Sequence, residues 1–134
     1  MGRMWPRAAI VDSGPGMIHL LLVDHPPAVR RTLRAYLSLE PEVAVVGEAD
    51  DVPTALGLAQ ALQPDVVLLD AEMPDVDVRE TVGLLRARSP ASTVVILSLN
   101  PAALARTLGA GTVVLVGKHE GAAGLLAAAL GGRR

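Results

Sequence analysis

Residues 64–77 read PDVVLLDAEMPDVD, an apolar run that ends in a string of acids. Val66–Leu69 has no polar face, so it suits a strand covered on both sides. A buried strand that ends on a carboxylate, Asp70, with Glu72, Asp75 and Asp77 close behind, raises one question. Asp70 is either an ordinary surface acid in a loop or the working group of a site.

Working outward, four further apolar runs have the same character: His19–Val23, Val43–Gly47, Val94–Leu97 and Val113–Val116. Segments of helical period separate them. Val29, Leu33, Tyr36 and Leu37 share one face, as do Val52, Ala55, Leu56, Ala59 and Leu62. Pro27, Pro53 and Pro101 stand where helices should begin, and Asn100 suits an N-cap. Val78–Arg88 and residues 120–130 supply the remaining helices. Alternation of this kind predicts an α/β fold, a flavodoxin-like (βα)5 doubly wound parallel sheet with strand order 2-1-3-4-5. Residues 1–16 lack a sustained period and end in Gly-Pro-Gly, so a disordered leader is expected there. The folded domain is expected over 17–131, with 132–134 as a tail or the start of a linker.

Composition narrows the function. There is no cysteine, which excludes disulfides and thiolate chemistry. A formal net charge of -2 argues against direct nucleic-acid binding. No apolar run approaches the roughly 18 residues that a membrane span needs. The N-terminus lacks a secretory h-region, and Pro6 breaks the myristoylation pattern after Gly2. A cytoplasmic protein is expected.

In an open α/β sheet the ligand site lies beyond the carboxyl ends of the strands. Asp24 follows the first run, Asp70 the third, Ser98 the fourth, and Lys118 comes two residues after the fifth. The order 2-1-3-4-5 makes the first and third strands neighbours, so Asp24 and Asp70 should face each other. Two close carboxylates call for a cation, and Mg²⁺ suits oxygen ligands completed by phosphate and water. Lys118 is the only lysine beside eleven arginines, and its compact ammonium suits a phosphoryl oxygen. This set fits a metal-assisted phosphoryl acceptor with Asp70 as the nucleophile. The plainer reading of Asp24 is a helix N-cap before Pro26 and Pro27. Two phosphate-loop lookalikes fail on spacing and context: residues 111–119, GTVVLVGKH, and residues 109–112, GAGT.

From Ile18 to about Leu130 the sequence resembles the receiver domain of bacterial two-component response regulators, particularly those with a helix-turn-helix output domain. The resemblance is carried by LLLVDHPPAVRRTLRAYL, by VVGEADDVPTALGLAQALQPDVVLLDAEMPDVD with D-x-x-M-P at Asp70, Met73 and Pro74, and by VVILS with the late lysine. It implies Asp70 as phosphoacceptor and, with Asp24 and the backbone carbonyl of Glu72, as a Mg²⁺ ligand. It further implies Ser98 as the switch hydroxyl and Lys118 as the phosphate-pairing cation. The implied donor is a histidine kinase or a small acyl phosphate. The implied target is an output domain or partner protein, with a homodimer possible, and no enzymatic activity beyond slow self-dephosphorylation.

Several positions depart from the family pattern. His25 stands where a second acid is usual, which predicts weaker Mg²⁺ binding. Leu99 replaces a small residue after the switch hydroxyl, and Leu115 replaces the switch aromatic. Val78 stands in place of a glycine. Ser98 to Lys118 spans 20 positions, about two fewer than usual, which predicts a shortened fourth helix. Bulk at Leu99 is expected to crowd the path to Ser98, and with Leu115 to weaken the switch. These changes also support an alternative, an atypical receiver acting as a phosphorylation-independent interaction or dimerisation module.

Overall fold

The computed structural model describes residues 17–24, 26–74, 76–108 and 114–118, together with Gly124 and Ala127. The elements in chain order are β1 (Ile18–Val23), α1 (Pro27–Leu37), β2 (Val43–Ala49), α2 (Val52–Leu62) and β3 (Val66–Asp70). They continue with α3 (Val78–Arg88), β4 (Thr93–Ser98), α4 (Pro101–Leu108) and β5 (Val114–Gly117). All strand pairs are parallel and the spatial order is β2-β1-β3-β4-β5, as the alternation of runs predicts. The expected leader at 1–16, the tail at 132–134, His25 and most of the helix expected at 120–130 lie outside the described residues; Gly124 and Ala127 are helical.

Successive side chains on a strand point to opposite faces, and here both faces are covered. Leu20, Leu22, Leu68, Val95 and Leu97 form one layer with Leu37 of α1. Leu21, Val23, Val67, Leu69, Val94 and Ile96 form the other, against Ala55, Leu56 and Ala59 of α2 and Val82 and Leu85 of α3. β3 lies between β1 and β4, and all five of its residues are buried. This accounts for the missing polar face of Val66–Leu69. The face proposed for α1 is only half realised: Leu37 is buried and Leu33 partly so, whereas Val29 and Tyr36 are exposed.

Helix starts follow local chemistry. Asp51 accepts from the Thr54 amide at α2 (2.8 Å), Asp77 from the Glu80 amide at α3 (3.0 Å), and Asn100 from the Ala103 amide at α4 (3.1 Å). Each side-chain oxygen satisfies an amide that the helix leaves without a partner. α1 begins differently, with Pro26 as its N-cap and no side-chain cap bond. Asp24 is therefore not the cap of that helix. The described part of α4, Pro101–Leu108, has eight residues, where α1, α2 and α3 have eleven.

The amino ends of the strands are tied by backbone and short polar side chains. The Asp65 carboxylate accepts from the His19 amide (2.8 Å), its amide donates to the His19 carbonyl (2.8 Å), and its carbonyl accepts from the Thr93 amide (2.8 Å). Asp65 thus aligns β1, β3 and β4. Gln63 takes a left-handed conformation (φ 46°) to end α2, and its amide group donates to the Arg88 carbonyl at 2.9 Å. With the bottom edge occupied by structural ties, the carboxyl edge is left for chemistry.

Leu68, fully buried in the layer that α1 covers, sets a measure of the core. Leu68→Ala is expected to lower the unfolding free energy by about 2–5 kcal/mol in urea titration. Leu39→Ala, at a side chain 79% exposed, should change it by no more than about 0.5 kcal/mol.

Candidate functional site

Asp70 is the last residue of β3 and Asp24 follows β1, and both are buried, at 4% and 3% exposure. Val23 is in register with Leu69, so the two acids leave neighbouring strands side by side. The backbone of Asp24 is held from both flanks. Its amide donates to the Ala49 carbonyl (3.0 Å), and its carbonyl accepts from Arg30 Nη1 (3.0 Å). Arg30 is itself steadied by Glu48 (3.2 Å), which also pairs with Arg34 (3.1 Å). Glu48 therefore positions Arg30 on the Asp24 backbone, a support that one sequence gives no sign of.

On the other side of Asp70, the registers bring the β4 and β5 ends to the same level. Asp70 pairs with Leu97, and Ser98, one residue on, pairs with Gly117, which precedes Lys118. Lys118 Nζ reaches Asp70 Oδ1 at 2.7 Å and Glu72 Oε1 at 2.9 Å. Asp70 Oδ1 also accepts from the Glu72 amide (3.0 Å), which closes the first turn after β3. Met73, buried in the core layer of α2 and α3, anchors the same loop. A buried carboxylate without a counter-charge would be strongly disfavoured, and Lys118 supplies that charge.

The unexpected member is the Glu72 side chain. Sequence reasoning assigns only its backbone carbonyl. Its carboxylate, however, accepts from Ser98 Oγ (3.2 Å) and from the Leu99 amide (3.2 Å to each oxygen), besides pairing with Lys118. Ser98 Oγ in turn accepts from the Asn100 amide (3.0 Å). The position of Glu72 two residues after Asp70 places it in the right loop, but nothing in one sequence tells which way the side chain turns. The acid string of residues 70–77 now divides by role: Asp70 is the buried strand end, Glu72 a bridge to β4 and β5, and Asp77 the cap of α3. Asp75 lies outside the described residues.

Among the atypical positions, Leu99 departs from expectation. Leu99 does not crowd the space between Asp70 and Ser98, because the residue is 70% exposed. The physical reason is that Leu99 faces the site with its amide, drawn to Glu72, which turns the side chain to solvent. Leu115 sits on β5 in register with Ile96, partly buried against the α2–α3 core layer. Any weakening of a switch thus rests on Leu115, an aliphatic with no polar tip. Val78 begins α3 behind its Asp77 cap, so a side chain is accommodated there.

Burial penalises the Lys118 ammonium, but hydrogen bonds and charge from Asp70 and then Glu72 more than offset this, holding it above its ordinary value. An ammonium whose proton is held more firmly in the folded chain stabilises it below the unfolded value of 10.5, as long as both carboxylates are ionised. The contribution fades as pH rises through the folded value. Lys118→Met is accordingly expected to melt at lower temperature than the natural chain at neutral pH. From neutral pH the gap should stay level up to the unfolded value and close above it; a gap that widens there would contradict the ion pair.

Comparison with known proteins agrees with this geometry. A model of the response regulator receiver domain matches residues 20–130. The nitrate/nitrite response regulator protein NarL of Escherichia coli (strain K12) is 36% identical over 81 residues, covering 60% of this chain and 38% of its own. Protein-glutamate methylesterase/protein-glutamine glutaminase 3 of Anaeromyxobacter dehalogenans (strain 2CP-C) is 36% identical over 108 residues, covering 78% of this chain and 32% of its own. The chain therefore spans about a third of the length of these relatives. Among solved structures, the signal receiver domain of the putative response regulator NarL from Mycobacterium tuberculosis superposes with a TM-score of 0.68 at 32% identity, covering 87% of this chain and 99% of that one. The response regulator domain of Thermotoga maritima CheB gives 0.68 at 28% identity, covering 84% and 88%. A buried acid pair, a strand-end hydroxyl and a lysine drawn to the central acid thus sit on a fold shared with these proteins, and the chain belongs to the response regulator receiver domain family, whose place is in phosphorelay signal transduction.

Proposed function

We propose that Asp70 is the residue that accepts the phosphoryl group. The observation that carries this reading is the buried carboxylate at the end of β3 held 2.7 Å from the chain's single lysine. In the transfer, an Asp70 oxygen forms a bond to phosphorus as the bond from phosphorus to the donor's imidazole nitrogen or acyl oxygen breaks. Lys118 balances the charge that gathers on the phosphoryl oxygens, and the Ser98 hydroxyl offers them a donor. The donor is a partner histidine kinase or a small acyl phosphate, and the acceptor's signal passes to an output domain or a partner protein, in the cytoplasm. Turnover in this reading is limited to slow self-dephosphorylation.

Asp24 and Asp70 leave adjacent strands buried side by side, a donor set that suits Mg²⁺, with the Glu72 carbonyl as a third oxygen. The Glu72 carboxylate is engaged at β4 and β5, and among the described residues no three acid, histidine or cysteine side chains converge as a metal cluster. Two carboxylates and a carbonyl leave the remaining positions to water and phosphoryl oxygen, which is the usual habit of this ion. When bound, Mg²⁺ would neutralise charge between the phosphoryl group and the acids. The retained pairing of Asp70 with Lys118 argues against the phosphorylation-independent module, as does the company of receiver relatives.

The test is intact-mass analysis after incubation with acetyl phosphate and Mg²⁺. One phosphoryl group is expected on the natural chain and none on Asp70→Asn; modification that survives the substitution would overturn the assignment. His25→Asp, which exchanges an imidazole for a hard oxygen donor, is expected to tighten Mg²⁺ binding in calorimetric titration. Equal affinity would show that His25 does not limit the site.

A further inference from the structure

Three donors from two segments converge on one carboxylate. The Ser98 hydroxyl and the Leu99 amide come from the end of β4, and the Lys118 ammonium from the end of β5; all of them meet the Glu72 side chain. The same ammonium lies 2.7 Å from Asp70. These donors form an oxyanion seat beside the acid that accepts the phosphoryl group, and the seat is already filled from within the chain. We propose that the Glu72 carboxylate is a resident anion in this seat, and that a phosphoryl group must displace it to be held. The proposal rests on Asp70 as phosphoacceptor and adds a residue that governs how readily the site takes its anion.

The physics is a contest between anions for one cation and two neutral donors. A phosphoryl group carries close to two negative charges and brings three strongly accepting oxygens. It cannot share the seat with a carboxylate at van der Waals distance without strong repulsion in a partly buried site. The two acids differ in their freedom to yield. Asp70 has 5% of its side chain exposed and is fixed by the strand, whereas Glu72 has 36% exposed and has a path to solvent. Glu72 is therefore the group that leaves. In the resting chain it satisfies Ser98, Leu99 and Lys118, which stabilises the empty site and sets a threshold for phosphorylation. Its backbone carbonyl, the oxygen assigned toward the metal, need not move when the side chain swings out.

Three variants separate occupancy from simple charge. Glu72→Ala empties the seat, Glu72→Gln keeps the shape without the charge, and Glu80→Ala makes the same change in net charge on the exposed surface of α3. With Mg²⁺ present, beryllofluoride affinity is read from the Leu99 amide and Lys118 resonances. It is expected to rise about tenfold or more in Glu72→Ala, the value of one uncontested charge-assisted hydrogen bond. Glu72→Gln should gain less, and Glu80→Ala should match the natural chain. The Leu99 amide should also shift in Glu72→Ala before any anion is added. Unchanged or weaker beryllofluoride binding in Glu72→Ala, or an equal gain in Glu80→Ala, would overturn the proposal. Inorganic phosphate, which needs no bond to Asp70, is titrated in parallel. If no protein binds beryllofluoride, the phosphoacceptor reading fails, and the seat is then judged by phosphate alone. Tighter phosphate binding in Glu72→Ala would uphold it and equal binding would refute it.

Discussion

The carboxyl edge of this sheet is organised by one ammonium between two carboxylates. Asp70 is buried because β3 is the central strand, and a buried acid needs an opposite charge within reach. Lys118 meets that need from two strands away, since β4 and β5 end at the same level in a parallel sheet. The ion pair thereby ties the end of the central strand to the edge strand across β4. Glu72 joins the pair from its own loop and extends it to Ser98 and Leu99. Every residue assigned a part in phosphoryl transfer touches this group or stands beside it.

Much of this was legible in the sequence, for definite reasons. Strands covered on both faces must be apolar throughout, so Val66–Leu69 announced itself, and strand order followed from alternation with helices. Residues directly after such strands must gather on one edge, which brought Asp24, Asp70, Ser98 and Lys118 together on paper. Side-chain direction in loops follows no such rule. The turn of Glu72 toward β4 and the turn of Leu99 away from the site depend on which donors happen to be in reach, and these are set only in three dimensions. The expected crowding by Leu99 failed for that reason. The support of Asp24 through Glu48 and Arg30 was hidden for the same reason, because it links residues 18 positions apart by side chain alone.

The two ends of the sheet illustrate a division of labour within one fold. At the amino edge, Asp65 is spent on backbone amides and aligns three strands, and serine and glutamine close the loops around it. At the carboxyl edge, acids meet a cation that a ligand could also claim. The first arrangement has no reason to change on binding an anion; the second is poised to exchange partners. In a receiver domain such an exchange is what an incoming phosphoryl group would bias, since a ligand shifts an equilibrium only through its differential contacts with two states. Here the exchange would begin with Glu72 and reach β5 through Lys118, which follows the strand that carries Leu115 against the core.

Because Lys118 is the only lysine, its ammonium gives a single side-chain signal in a lysine-selective ¹⁵N spectrum without assignment. Held at 2.7 Å from a buried carboxylate and 2.9 Å from a second, its protons should exchange slowly with water near neutral pH and give a sharp correlation. The account predicts that this signal is present in the natural chain, moves in Glu72→Gln, and is lost to fast exchange in the double substitution of Asp70→Asn with Glu72→Gln. A signal absent from the natural chain, or one untouched by removing both acids, would contradict the ion pair on which the site is built.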